Sequence, residues 1–448
     1  MPAFKIKALP ESRVVQLWLR HIKKRRRLTD SEGGPVEVVY PGRPNDGRGA
    51  DFRDAVILSG AETRRGCIEF HTRSSGWQAH GHHLDPLYNE VVLHVAWTQD
   101  CPGRTVLQNG KTVPTIILRS HLHSSTGLGS EERRLPCSQS ARNLRPKALE
   151  GILDVAGEQR FQARAACFET GTATRDPGQS LYQGMAEALG YSKNQIPFRE
   201  LSRRVPLRLL RVSPGARRPE EDCLTELQSI LLGSAGLLPS QRGLAVESNE
   251  FILQLERHFA SGLRRAAMSS SAWQLFKVRP GNYPVGRIIA LSYWLCRFRR
   301  KGLFSSLVEM VRGLPADRLH IDLESALLVS AEGYWASHYD FGLPSKAGIC
   351  RALLGRERAS VVIINVILPF IFFWSQKMAE PRLGQKALET YAGYPRLGMN
   401  SIERHMLHQL AIGPDQANSA RRQQGLIHLY KAFCTQGKCG ECDLARTQ

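Results

Sequence analysis

The sequence predicts an α+β protein in which a small α/β domain near the N-terminus precedes a larger, mostly helical domain. Three observations point there. Short apolar runs bounded by glycine and proline recur between residues 36 and 97. Helical spacing takes over from about residue 147. A chain of 448 residues is also too long for one ordinary core. A hydrophobic fraction of 42% with 23% charged residues is that of a folded chain, which excludes an extended disordered tail as the main body.

The elements follow in order. ESRVVQLWLRHI (11–22) spaces Val14, Leu17, Trp18 and Ile22 along one face of a helix. The basic run 23–27 and a Gly33-Gly34-Pro35 turn lead to a strand over 36–40. PGRPNDGRG (41–49) is a loop, and further strands are expected over 55–58, 66–71 and 91–97. The polar, histidine-rich segment 77–90 accommodates a short helix, and 112–118 extends the β-rich domain. The expected boundaries are 1–125 for the α/β domain, 126–146 for a linker or long loop, and 147–448 for a helical domain ending in a cysteine-rich tail.

Lys and Arg outnumber Asp and Glu by 61 to 41, a net charge of +20, which favours a polyanionic partner, nucleic acid first. The uncharged stretch 359–376 sits at the lower edge of membrane-span length and contains Asn365 and Pro369, so a buried core helix broken at Pro369 is expected and no membrane partner. The N-terminus shows no signal-peptide pattern. With ten cysteines read as reduced thiols or metal ligands, the expected location is the cytoplasm.

The densest chemistry lies between Gly49 and Trp97. Asp51 stands where the glycine-rich loop enters an apolar strand. Glu69 and His71, two residues apart on the next strand, share a face. Two carboxylates converging from adjacent strand ends form a hard oxygen site for Mg²⁺ or Mn²⁺, and a proton-accepting neighbour positions an attacking water. The structural alternative is that Asp51 caps a turn and Glu69–His71 is a polar strand pair.

This layout resembles the core of the PD-(D/E)XK phosphodiesterases: an aspartate after a loop, then Glu-x-Lys on the following strand. The resemblance implies a mixed sheet flanked by helices, with Asp51 and Glu69 as metal ligands and His71 in the lysine position. Two departures stand out: Ala50 precedes Asp51, and a neutral histidine lacks the fixed charge of lysine. Arg73, on the same strand face, is the candidate replacement for that charge and a candidate substrate contact, together with His80, His83 and Asp85. The whole chain is also similar to an uncharacterised bacterial family of unknown function, through stretches such as GADFRDAVIL, VRPGNYPVGRIIAL and GLIHLYKAFCTQGKCGECDL.

Two further clusters carry chemistry. His80, His82, His83, Asp85 and His94 lie close enough in sequence for zinc, which gives a zinc-dependent hydrolase as a rival reading. Cys434, Cys439 and Cys442 form C-x4-C-x2-C, a spacing suited to zinc or an iron–sulfur cluster, with His428, Cys350 and Cys296 as candidates for a fourth ligand. The expected function is a metal-dependent phosphodiesterase acting on nucleic acid. The main alternative is a non-catalytic nucleic-acid-binding protein with a decayed nuclease core.

Overall fold

The computed structural model describes residues 9–24, 27–123, 135–169, 176–210, 219–245, 249–261, 267–276, 278–345 and 352–446. It divides into two units. The first comprises 1–157, 399–418 and 422–448; the second comprises 158–398 and 419–421. The C-terminal segment returns to the N-terminal unit, and chain order carries no record of such a return.

In the first unit helix α1 (Glu11–Lys24) buries Val14, Trp18 and Ile22, the face the spacing marks out. Strands β1 (Arg27–Thr29), β2 (Pro35–Tyr40), β3 (Arg43–Pro44), β4 (Phe52–Ser59) and β5 (Glu62–Arg73) follow, then β6 (Val91–Thr98). Short strands β7 (Thr105–Val106), β8 (Thr112–Val113) and β9 (Thr115–Ile117) complete the β-rich region. The main sheet runs β1-β2-β4-β5-β6-β9, with β3 attached to β4. Pairing is antiparallel as far as β5, then parallel from β5 to β6 and from β6 to β9.

That change of sense sets the geometry of the unit. Antiparallel strands close through tight turns, whereas parallel neighbours need a crossover. The crossover from β5 to β6 is helix α2 (Gly76–Ala79) followed by two 3₁₀ turns, His82–Leu84 and Pro86–Tyr88. Ile68 and Phe70 of β5 point toward α1, where Trp18 meets Phe70 edge-on at 6.0 Å. Glu69 and His71 therefore face the opposite side, where the crossover and a small cluster of Ala50, Trp77, Val91, Leu107 and Val113 lie.

The segment expected as a linker over 126–146 contains helix α4 (Pro136–Asn143), after α3 (Leu118–His123). Proline at the first helical turn and the buried Cys137 and Ala141 give α4 a core face that its serine- and arginine-rich composition hides. Helix α5 (Pro146–Ala166) comes next, and the terminal helix Ala420–Ala432 crosses it so closely that a Cβ on Gly425 would lie 2.2 Å from the Leu153 carbonyl. The terminal helix also reaches the sheet. Tyr430 donates to Asp54, Arg43 bonds both at 3.1–3.2 Å, and Tyr40 meets His405 at 2.6 Å. Asp54 occupies a left-handed conformation, φ 62°, inside the β-bulge between Phe52 and Ala55.

The second unit is mainly helical around one large apolar core. Its longest apolar helix, Arg356–Lys377, is long and apolar enough to cross a membrane by length and composition, and 72% of that apolar window is buried inside the unit. The break expected at Pro369 is absent. A π-turn at Ile363–Ile367 widens the helix just before the proline, relieving the ring clash and the lost N–H bond, so the helix continues. Arg287 is buried as an internal partner, donating to the Leu353 carbonyl at 3.1 Å and to Asn282 at 2.8 Å.

Two stability predictions follow from these contacts. At Gly66 a Cβ would lie 2.1 Å from the Glu90 carbonyl where the crossover rejoins the sheet, whereas one at Gly151 in α5 would meet nothing within 4 Å. Gly66→Ala lowers stability by roughly 1–3 kcal/mol and Gly151→Ala raises it by about 0.5–1 kcal/mol, measured by urea unfolding. Burial, with the Arg43 charge second, lowers the His405 pKa to about 4; His408 acts in the same direction, while Gln409 and Asp54 oppose it. The unfolded chain takes up this proton first, so its contribution is complete above about pH 6.5 and is lost as pH falls toward 4. His405→Gln flattens the pH dependence of the unfolding midpoint across that window.

Candidate functional site

The loop that delivers Asp51 is held by its own side chains. Asn45 donates to the Ala50 carbonyl at 2.8 Å and accepts from Gly47 at 2.9 Å, and the Asn45 amide donates to the Asp51 carbonyl at 2.7 Å. Asp51 and Glu69 then meet. The Asp51 N–H donates to Glu69 Oε2 at 3.0 Å, and the Phe70 N–H donates to Asp51 Oδ2 at 3.2 Å. Burial first, then the Glu69 charge, pushes the Asp51 carboxyl up to about 6, although the Phe70 N–H and His82 act against this. Two carboxylates forced together in this way are relieved by a cation.

Three imidazoles close over the same spot. His71 comes from β5, His80 from the end of α2 and His82 from the first 3₁₀ turn, and one ligand atom from each falls within 4.8 Å of the others. His82 Nε2 is 3.2 Å from Glu69 Oε1, and His71 Nε2 is 3.9 Å from it. Despite that short approach, His82 Nε2 is buried and makes no hydrogen bond among the described residues, which leaves its lone pair or proton aimed at the cluster. Tyr88 stacks on the His82 ring at 3.8 Å and fixes its plane. Trp77, held by a bond from its indole N–H to the Val106 carbonyl at 2.9 Å, closes the inner wall. Gly76 permits this packing, because a Cβ there would stand 2.5 Å from the His71 ring.

Behind His71 runs a buried relay. His71 Nδ1 lies 2.9 Å from His94 Nε2, His94 Nδ1 lies 2.7 Å from Thr105 Oγ1, and Thr105 reaches Thr115 at 2.8 Å. Burial, reinforced by the neighbouring imidazoles, lowers both His71 and His94 to about 3, so both rings are neutral near pH 7. Only two proton orders then satisfy the chain. If His94 donates from Nδ1 to Thr105, its Nε2 accepts from His71 Nδ1, and His71 Nε2 presents a lone pair toward Glu69 and His80. The reverse order turns His71 Nε2 into a donor. The relay thus ties the form of His71 that faces the site to the direction of the His94–Thr105 bond.

The other residues singled out by sequence fall elsewhere. Arg73 is exposed at the end of β5, where its charge acts on Asp100. Asp85 caps the second 3₁₀ turn by accepting from the Leu87 N–H at 2.9 Å. His83 is half-buried outside the group of three imidazoles, its Nδ1 unbonded among the described residues. Arg25 and Arg26 of the basic run lie outside the described residues. Sequence spacing gives no hint of Trp77, Tyr88, Thr105 or Thr115, since their roles arise from the crossover and from strand pairing.

Cys434 and Cys442 are buried in the first unit and Cys439 is half-buried. Of the expected fourth ligands, Cys296 belongs to the second unit and neighbours Cys223, Cys350 lies outside the described residues, and His428 packs its ring against Phe433.

No curated protein and no solved structure matches the chain. A family model does, over residues 11–396, and the chain belongs to that family, described as protein of unknown function (DUF2851).

Proposed function

We propose that the chain is a divalent-metal phosphodiesterase acting on nucleic acid, with its centre at Asp51, Glu69 and the imidazoles of His71, His80 and His82. The observation that carries this reading is the convergence of Asp51 with Glu69, eighteen positions apart, each accepting from the other's backbone or its neighbour's. The donor set fits a cation: two crowded carboxylates and a buried, unbonded His82 nitrogen. When bound, the cation supplies Lewis-acid polarisation of a phosphoryl oxygen and a more acidic water. Imidazole nitrogens among the ligands favour Mn²⁺ or Zn²⁺ over Mg²⁺.

The chain's own groups do the rest. Neutral His71, with its lone pair on Nε2, accepts a proton from an attacking water and stands where the PD-(D/E)XK pattern has lysine. His94 and Thr105 are positioning residues that keep His71 in that form. The net charge of +20 supports a polyanionic substrate. The order helix, antiparallel strands, crossover, parallel strand supports the resemblance drawn from the sequence. A second reading, zinc hydrolysis of a small substrate, is favoured by the grouping of His71, His80 and His82.

The test is cleavage of labelled single- and double-stranded DNA and RNA, and of bis-p-nitrophenyl phosphate, with Mn²⁺, Mg²⁺, Zn²⁺ or EDTA. Wild type cleaves nucleic acid with Mn²⁺; Asp51→Asn with Glu69→Gln loses at least about 100-fold, and His71→Ala loses a similar factor. Equal rates in wild type and the double variant would reject the carboxylate site. Binding with a steep salt dependence but no cleavage under any metal would make the protein a non-catalytic nucleic-acid binder. Cleavage confined to the small ester, lost in His80→Ala, would transfer the activity to the zinc reading.

A further inference from the structure

The C-terminal cysteines meet a partner from far earlier in the chain. Cys434 lies just past the end of the terminal helix, in a 3₁₀ turn over Cys434–Gln436, and the chain then reverses. Gly437, at φ 69°, donates to the Cys434 carbonyl at 3.1 Å, and Lys438 donates to the Phe433 carbonyl at 2.9 Å. The reversal brings Cys439 back beside the helix end, and a 3₁₀ turn over Cys439–Glu441 leads to Cys442, whose N–H donates to the Cys439 carbonyl at 3.2 Å. Helix α4 packs against the short C-terminal helix Asp443–Arg446 and carries Cys137, 7% exposed, into the same core as Cys434 and Cys442, each 6% exposed. One amide joins the two ends of the cluster: Gln409 Nε2 lies 3.5 Å from Cys434 Sγ and 3.7 Å from Cys137 Sγ.

We propose that Cys137, Cys434, Cys439 and Cys442 together form a four-thiolate site for a thiophilic metal centre, a zinc ion or an iron–sulfur cluster, with Gln409 as a hydrogen-bond donor to two of its sulfurs. Four cysteines from two chain segments match the ligand type and number of all-cysteine structural centres. The protein already supplies donors suited to thiolates rather than thiols. The Gln409 amide points at two of the sulfurs.

A centre there clips the C-terminal segment to α4 and thereby to the sheet that carries Asp51. Gly437 rests on Val56 of β4, and Arg65 of β5 donates to the Gln436 carbonyl at 3.3 Å. The site is independent of the phosphodiesterase reading, and its test needs no activity. Full-length protein is purified without oxygen, and its zinc, iron and acid-labile sulfide are measured. The expected result is about one zinc per chain, or iron with matching sulfide and visible charge-transfer absorption, lost in Cys137→Ser and Cys439→Ser and retained in Cys167→Ser. Wild type gives a second readout that does not rely on a variant folding. Iodoacetamide followed by peptide mass spectrometry finds Cys137, Cys434, Cys439 and Cys442 protected until a chelator strips the metal. Protein free of both zinc and iron, or a Cys137 whose alkylation ignores the chelator, would overturn the proposal.

Discussion

The candidate site of the first unit depends on one constraint: β5 and β6 run parallel, so the chain between them must cross over a face of the sheet. That face carries Glu69 and His71, the polar members of a strand whose alternate residues fill the apolar core against α1. A crossover made of apolar helix would strand two polar side chains without partners. The segment from Gly76 to Tyr88 instead supplies imidazoles, an indole N–H and a stacked tyrosine, so the buried polar groups acquire partners on the side that the crossover closes. The histidine cluster and the carboxylates, which read as rival sites in one dimension, become one site in three.

The parts legible in the sequence were those set by local pattern. Val14, Trp18 and Ile22 declare α1, and the apolar runs mark β2, β4, β5 and β6 to within a few residues. The two-residue repeat places Glu69 with His71, and the glycine-rich loop places Asp51 at a strand entrance. What the pattern could not carry is everything made by pairing between distant segments. His94 looks like another possible ligand along the chain, but both of its ring nitrogens are taken, one by His71 and one by Thr105, which makes it an orienting group. Arg73 shares the strand periodicity of Glu69 and His71 yet ends beside Asp100, because the strand runs past the sheet's covered region.

The same limit explains the C-terminal tail. Three closely spaced cysteines carry the expectation of a metal, whereas Cys137, the fourth ligand of the proposed site, sits in a polar-looking segment that reads as linker. Its burial comes from a short helix against which the C-terminal segment packs. The tail is tied to the sheet a second time through Tyr430, Asp54 and Arg43, at a bulge three residues beyond Asp51. A strained left-handed aspartate is held there by Arg43 of the N-terminal stretch together with Tyr430 of the terminal helix. Order at the entrance of β4, and so the aim of Asp51, therefore draws on both ends of the chain.

The most direct test of the central claim is anomalous diffraction from crystals soaked in Mn²⁺. The account predicts a manganese peak within coordination distance of both Asp51 and Glu69, with at least one of His80 and His82 turned toward it. Crystals in which those two carboxylates keep their direct contacts while manganese binds elsewhere or nowhere would contradict it.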